Sequence, residues 1–131
     1  MTNPVLAGVN DLFFSAKIDA AARRAGVPLQ CLPDCGRVLE ASRRAEPPLV
    51  ILDLDSVGGD AVDLIRTFKA DGRLRHIRVI GFCRHTHTHT LAAANQAGID
   101  EAMPRSEFVQ VLPEVLRSCA EAARAEEGAQ S

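Results

Sequence analysis

Asp53 and Asp55 close the run Leu49-Val50-Ile51-Leu52-Asp53-Leu54-Asp55, and the turn pair Gly58-Gly59 follows shortly after. Carboxylates so placed can bind a hard cation, and either can attack phosphorus as a nucleophile. The plainer use of a strand-end aspartate is to cap the next turn or helix. A second group follows Cys83, in Arg84-His85-Thr86-His87-Thr88-His89-Thr90, which holds three of the four histidines. Imidazoles and a thiolate are good ligands for zinc or copper, so Cys83, His85, His87 and His89 form a candidate set. An extended backbone would line the alternating histidines along one side. A helix starting at Thr86 or Thr88 would instead bring His85 and His89 one turn apart. The alternative is a polar connection with a threonine as N-cap and the histidines in solvent, because no carboxylate lies nearby in sequence to complete a metal site. Arg105 is a cation expected on the same rim as Asp53 and is predicted to pair with it. No nucleophile and base are placed together, which argues against an enzyme.

The elements that must position these groups alternate regularly. Leu49 to Leu52 is a short apolar run without alternation, bounded by Pro47-Pro48 and by glycines, and reads as a strand buried on both faces of a parallel sheet. Its carboxyl end then opens at the rim where such sheets place ligands. Pro4 to Val9 reads as strand one, with Gly8 suited to close approach of a neighbour. Asn10-Asp11 ends that strand and can cap a helix over Leu12 to Ala25, stopped by Gly26. Val27 to Leu32 reads as strand two, Gly36 to Ala45 as a short helix, and Ala61 to Ala70 as an amphipathic one. Ile77 to Cys83 is strand four, Leu91 to Ala97 an Ala-rich helix, and Ile99 to Met103 a weak fifth strand. With Ser106 as its N-cap, the last helix is expected from Phe108 to about Arg124, across Pro113. Five strand–helix repeats predict one doubly wound α/β domain over residues 4–124 with a five-stranded parallel sheet, and a flexible tail over 125–131.

Composition narrows the function classes. A length of 131 residues suits one domain with a full core, and a net charge of −2 offers no footprint for nucleic acid or an anionic membrane. Apolar runs of four or five residues fall far short of the roughly 20 that span a bilayer. Met-Thr-Asn-Pro shows no secretory pattern, so a cytoplasmic location is expected. The four cysteines (Cys31, Cys35, Cys83, Cys119) then read as free buried thiols. Without Trp or Tyr, no aromatic platform for bases or sugars is expected.

On this spacing the chain resembles the receiver domains of bacterial two-component response regulators, a flavodoxin-like fold, over about residues 4–122. The resemblance rests on Asp53 at the end of strand three with Gly58-Gly59 five and six residues later, and on Gly98-Ile99-Asp100-Glu101 after the fourth helix. It implies that Asp53 accepts a phosphoryl group from a histidine kinase and that the backbone carbonyl of Asp55 binds Mg²⁺. The family's acidic pair at the end of strand one falls here on Val9-Asn10, or one residue on, on Asn10-Asp11. Asp11, Asp53 and Asp55 are therefore the Mg²⁺ set that the resemblance leaves. The family's strand-four hydroxyl is replaced by Cys83, its lysine by Arg105, and the aromatic position of strand five is Ala102. Losing carboxylates from a Mg²⁺ site removes several kcal/mol of charge stabilisation from phosphoryl transfer.

The expectation is thus an atypical stand-alone receiver, with no resident cofactor and a pocket of Asn10, Asp11, Asp53, Asp55, Cys83 and Arg105. It would signal through protein contacts, with Asp53 phosphorylation weakened or lost. Its expected partner is a histidine kinase or a downstream signalling protein, or a second copy in a homodimer, met through helix five and strand five. A Mg²⁺-dependent phospho-acceptor at Asp53 is the second reading. A metal- or small-ligand-binding module built on Cys83, His85, His87 and His89 is the third.

Overall fold

The computed structural model describes residues 3–130, with side chains described as far as Glu126. Ten elements alternate: β1 (Val5–Gly8), α1 (Leu12–Ala25), β2 (Leu29–Leu32), α2 (Cys35–Ala45), β3 (Leu49–Asp53), α3 (Ala61–Ala70), β4 (Arg78–Cys83), α4 (Thr88–Gln96), β5 (Glu101–Pro104) and α5 (Arg105–Gln130). All pairings are parallel and the strand order is β2-β1-β3-β4-β5, a flavodoxin-like sheet. No described helix is long and apolar enough to cross a membrane.

β3 is central and buried along its whole length, as its unbroken aliphatic run requires. Alternation sends Leu49 and Ile51 into one apolar layer with Phe14 and Ile18 of α1 and Leu112 and Leu116 of α5. Val50 and Leu52 enter the opposite layer with Val38 of α2 and Leu64, Ile65 and Phe68 of α3. The same parity turns Asp53 towards the α1/α5 side. At Gly8 the sheet and that second layer come close: a Cβ there would lie 2.9 Å from a Leu52 methyl and 3.1 Å from Val38. Small size at the end of β1 is thus a packing requirement.

Several boundaries differ from the sequence reading. α4 begins at Thr88 and not Leu91, so the histidine run is half connection and half helix. β2 begins at Leu29, two residues after Val27, and β5 is Glu101–Pro104 where Ile99 to Met103 was expected. α5 starts at Arg105, which places Ser106 inside its first turn and not at the cap, and its backbone stays helical to Gln130, past the expected end at Arg124 and into the expected tail. Ser131 lies outside the described residues.

Candidate functional site

The carboxyl ends of β1, β3 and β4 bring the candidate residues to one rim. Asp53 is fully buried. Its Oδ1 accepts hydrogen bonds from the backbone N–H groups of Asp55 at 3.1 Å and Ser56 at 3.2 Å. These bonds fold the chain back at the strand end, the Asx-type turn that strand-end aspartates favour. Its other oxygen, Oδ2, has no hydrogen-bond partner and faces the guanidinium of Arg105, Nη2 at 3.8 Å. The Arg105 guanidinium lies 4.9 Å from the centre of the Phe14 ring and 6.0 Å from that of Phe82. Phe82 stacks in turn on Phe108 at 4.3 Å. A cation over an aromatic face is held by the ring quadrupole, and in so apolar a setting it also offsets the charge of a buried carboxylate. The expected Arg105–Asp53 pairing is present as an ion pair without a direct hydrogen bond.

The end of β1 offers this carboxylate no acidic neighbour. Val9 is 5 % exposed and belongs to the apolar layer of α1 and α5. Asn10 is exposed, and its backbone N–H donates to Ser56 Oγ at 3.0 Å. Asp11 is the N-cap of α1, with Oδ1 accepting from Phe13 N at 3.0 Å and Phe14 N at 3.1 Å. Its carboxylate is therefore committed to helix-end donors that would otherwise be unpaired. Asp11 and Asp53 are not gathered as ligands. Among the described residues no three His, Cys, Asp or Glu side chains form a group able to hold a metal. Mg²⁺ requires octahedral oxygen donors, with carboxylates turned towards the ion. The residues as placed do not fit it, because Asp53's free oxygen meets a guanidinium and Asp11 serves a helix.

Asp55 takes a different course. Its Oδ2 accepts from Arg84 N at 2.8 Å, and its Oδ1 lies 2.7 Å from His87 Nδ1. His87 is the N-cap residue of α4, and its ring makes no capping bond because it is turned to Asp55. Cys83 is buried, and its thiol donates to the His87 carbonyl at 3.7 Å. Burial pushes the Cys83 thiol up, the Asp55 and Asp53 carboxylates push it further, and Arg105 opposes them. A neutral thiol is a poor metal ligand. His85 and His89 are exposed and His87 is engaged, so the histidine run is not assembled into one site. All four cysteines are free, but only Cys83 is buried as expected; Cys31 is exposed and Cys35 and Cys119 are partly so.

The Asp55–His87 contact was not foreseen, because the partners are 32 residues apart. A signal existed nonetheless: pairing of β3 with β4 sets Asp53 opposite Phe82, which carries Asp55 to the level of Arg84. Also unforeseen is that Leu12 and Phe13, at the start of α1, stand 87 % and 93 % exposed. The helical period explains it, since Phe14 and Ile18 take the inward face and the preceding pair is left outward.

No protein-family model and no curated protein matches the chain in sequence. Solved structures do match in shape. The receiver domain of a signal transduction histidine kinase from Syntrophus aciditrophicus is 16 % identical, with TM-score 0.79 over 92 % of each chain. The receiver domain of a sensor histidine kinase from Pseudomonas aeruginosa, whose structure holds magnesium in its active-site cleft, is 15 % identical with TM-score 0.78, over 92 % of this chain and 99 % of that one. A chemotaxis response regulator of Vibrio cholerae is 12 % identical with TM-score 0.76, over 91 % of this chain and 99 % of that one. The chain has the fold that these receiver domains share.

Proposed function

We propose that this chain is a receiver-type signalling module that acts through protein–protein contacts without Mg²⁺-dependent phosphorylation of Asp53. The observation that carries this reading is the setting of Asp53. An alkyl side chain, Val9, occupies the core at the end of β1, and the charge of Asp53 is offset from within by Arg105. Phosphoryl transfer to a carboxylate needs a cation to offset the charge of the incoming group, and several kcal/mol of that stabilisation is missing here. A histidine kinase, a downstream signalling protein or a second copy of the chain would be met as a docking partner. The almost fully exposed Leu12 and Phe13 support action by contact, since large apolar side chains grouped on a surface commonly mark such sites.

A phospho-acceptor role has one observation in its favour, the unpartnered Oδ2 of Asp53, which leaves a nucleophilic oxygen free. Intact-mass spectrometry after incubation with acetyl phosphate and Mg²⁺ separates the two readings. The unmodified mass is expected. A phosphoryl adduct that disappears in Asp53→Asn overturns the proposal.

A further inference from the structure

α4 is the least anchored helix of the sheet. Its nine residues bury only Ala94, whereas α3 buries Ala61, Leu64, Ile65 and Phe68. A helix that buries no large side chain draws little stability from packing and is among the first elements to open locally. Its two ends are held differently. After its C-terminal end the chain is pinned by buried Ile99 and by Asp100, whose Oδ2 accepts from Val79 N at 2.7 Å and pairs with Lys69 Nζ at 2.9 Å. At its N-terminal end the fastening is the Asp55 carboxylate, beside the weak bond from the Cys83 thiol to the His87 carbonyl at 3.7 Å. Asp55 receives Arg84 N on one oxygen and the His87 ring on the other, while His87 N closes back on Arg84 O at 2.9 Å. Asp55 itself is fixed, because its own N–H is held by buried Asp53.

We propose that the Asp55–His87 contact is a latch that fastens the β4–α4 connection to the end of β3, with the Ile99–Asp100 corner as the hinge. Releasing it frees α4 while the rest of the sheet stays folded. The half-exposed His87 ring is the accessible half of the latch, so a partner that supplies its own carboxylate to that ring can open it. The latch stands whether or not Asp53 accepts a phosphoryl group, because none of its bonds uses Asp53 Oδ2.

Amide hydrogen exchange on the whole chain tests this, comparing wild type with Asp55→Asn, His87→Ala and the double variant. A hydrogen bond to a charged group corresponds to about a tenfold change in a local opening equilibrium. Protection of the Leu91 to Ala97 amides should therefore fall about tenfold in each single variant, and in wild type these amides should exchange through a lower-energy opening, with weaker urea dependence, than α3 amides such as Ile65 and Phe68. The double variant should be no worse than the more affected single one. Unchanged α4 protection, α4 amides that open only together with the whole domain, or fully additive effects would each overturn the latch.

Discussion

Asp53 and Asp55 leave the same strand two residues apart, and the chain treats them in opposite ways. Asp53 turns inward, is fully buried, and has its charge offset by Arg105 across an aromatic wall. Asp55 turns outward and spends both oxygens on the next loop, on Arg84 N and the His87 ring. The first governs whether the sheet tolerates a charge at its centre, the second how firmly the adjoining helix is held. β3 ends at Asp53, and the turn that follows releases Asp55 from the strand's alternation, so identical side chains two residues apart meet different physics. Burial then sets the energy scale: breaking a buried pair strands a charge in an apolar medium, whereas an exposed pair can return to water.

The largest expected effect follows from that asymmetry. Arg105→Ala should destabilise the domain by about 3 kcal/mol, read from urea unfolding, because it leaves Asp53 buried without a counter-charge. Replacing both partners, Asp53→Asn with Arg105→Met, should recover most of the loss. An unchanged midpoint in Arg105→Ala would break the inward half of the comparison. Cys83 feels both carboxylates: burial pushes its thiol up, and Asp55 and Asp53 push it further. In the native protein at neutral pH, iodoacetamide should modify exposed Cys31 well before Cys83, as followed by peptide mass spectrometry. Early modification of Cys83 would mean that the rim is open. Asp55→Asn, by contrast, should lower global stability by only about 1 kcal/mol, since the pair it breaks is partly exposed.

A third aspartate, half-buried Asp71, serves as a reference. The Asp71 carboxyl is held below the ordinary range, first by the Arg73 N–H and further by Arg43. A carboxyl lowered in the folded state stabilises it above the unfolded value of about 4, and that contribution disappears as pH falls through the folded value. Asp71→Asn should therefore narrow slightly the gap in unfolding midpoint between pH 7 and pH 3. A wider gap would contradict the sign.

Much of this arrangement was legible before any coordinates. Leu49 to Leu52 has no polar residue to place at a surface, so burial on both faces and a carboxyl-terminal pair of aspartates at the rim followed directly. Asp11 as a cap and Arg105 opposite Asp53 were legible for similar reasons, one from position and one from charge. What could not be read were features set by register between distant segments. His87 reaches Asp55 only because β3 and β4 pair as they do, and nothing local to either residue encodes the distance. The start of α4 was left between Leu91 and Thr86 or Thr88 because alternating Thr and His carry no helical period; α5 crosses Pro113 as expected, but its start at Arg105 was missed because Ser106 resembles an N-cap.

The most direct test of the central claim is a Mg²⁺ titration of the wild-type chain, followed through the backbone amide resonances of Asp53, Asp55 and Ser56. A carboxylate already offset by a guanidinium should show no saturable shift up to about 10 mM Mg²⁺, well above the sub-millimolar to millimolar range in which carboxylate sites fill. A saturable shift centred on Asp53, with the amides of Phe13 and Phe14 moving as Asp11 leaves its cap, would contradict the account.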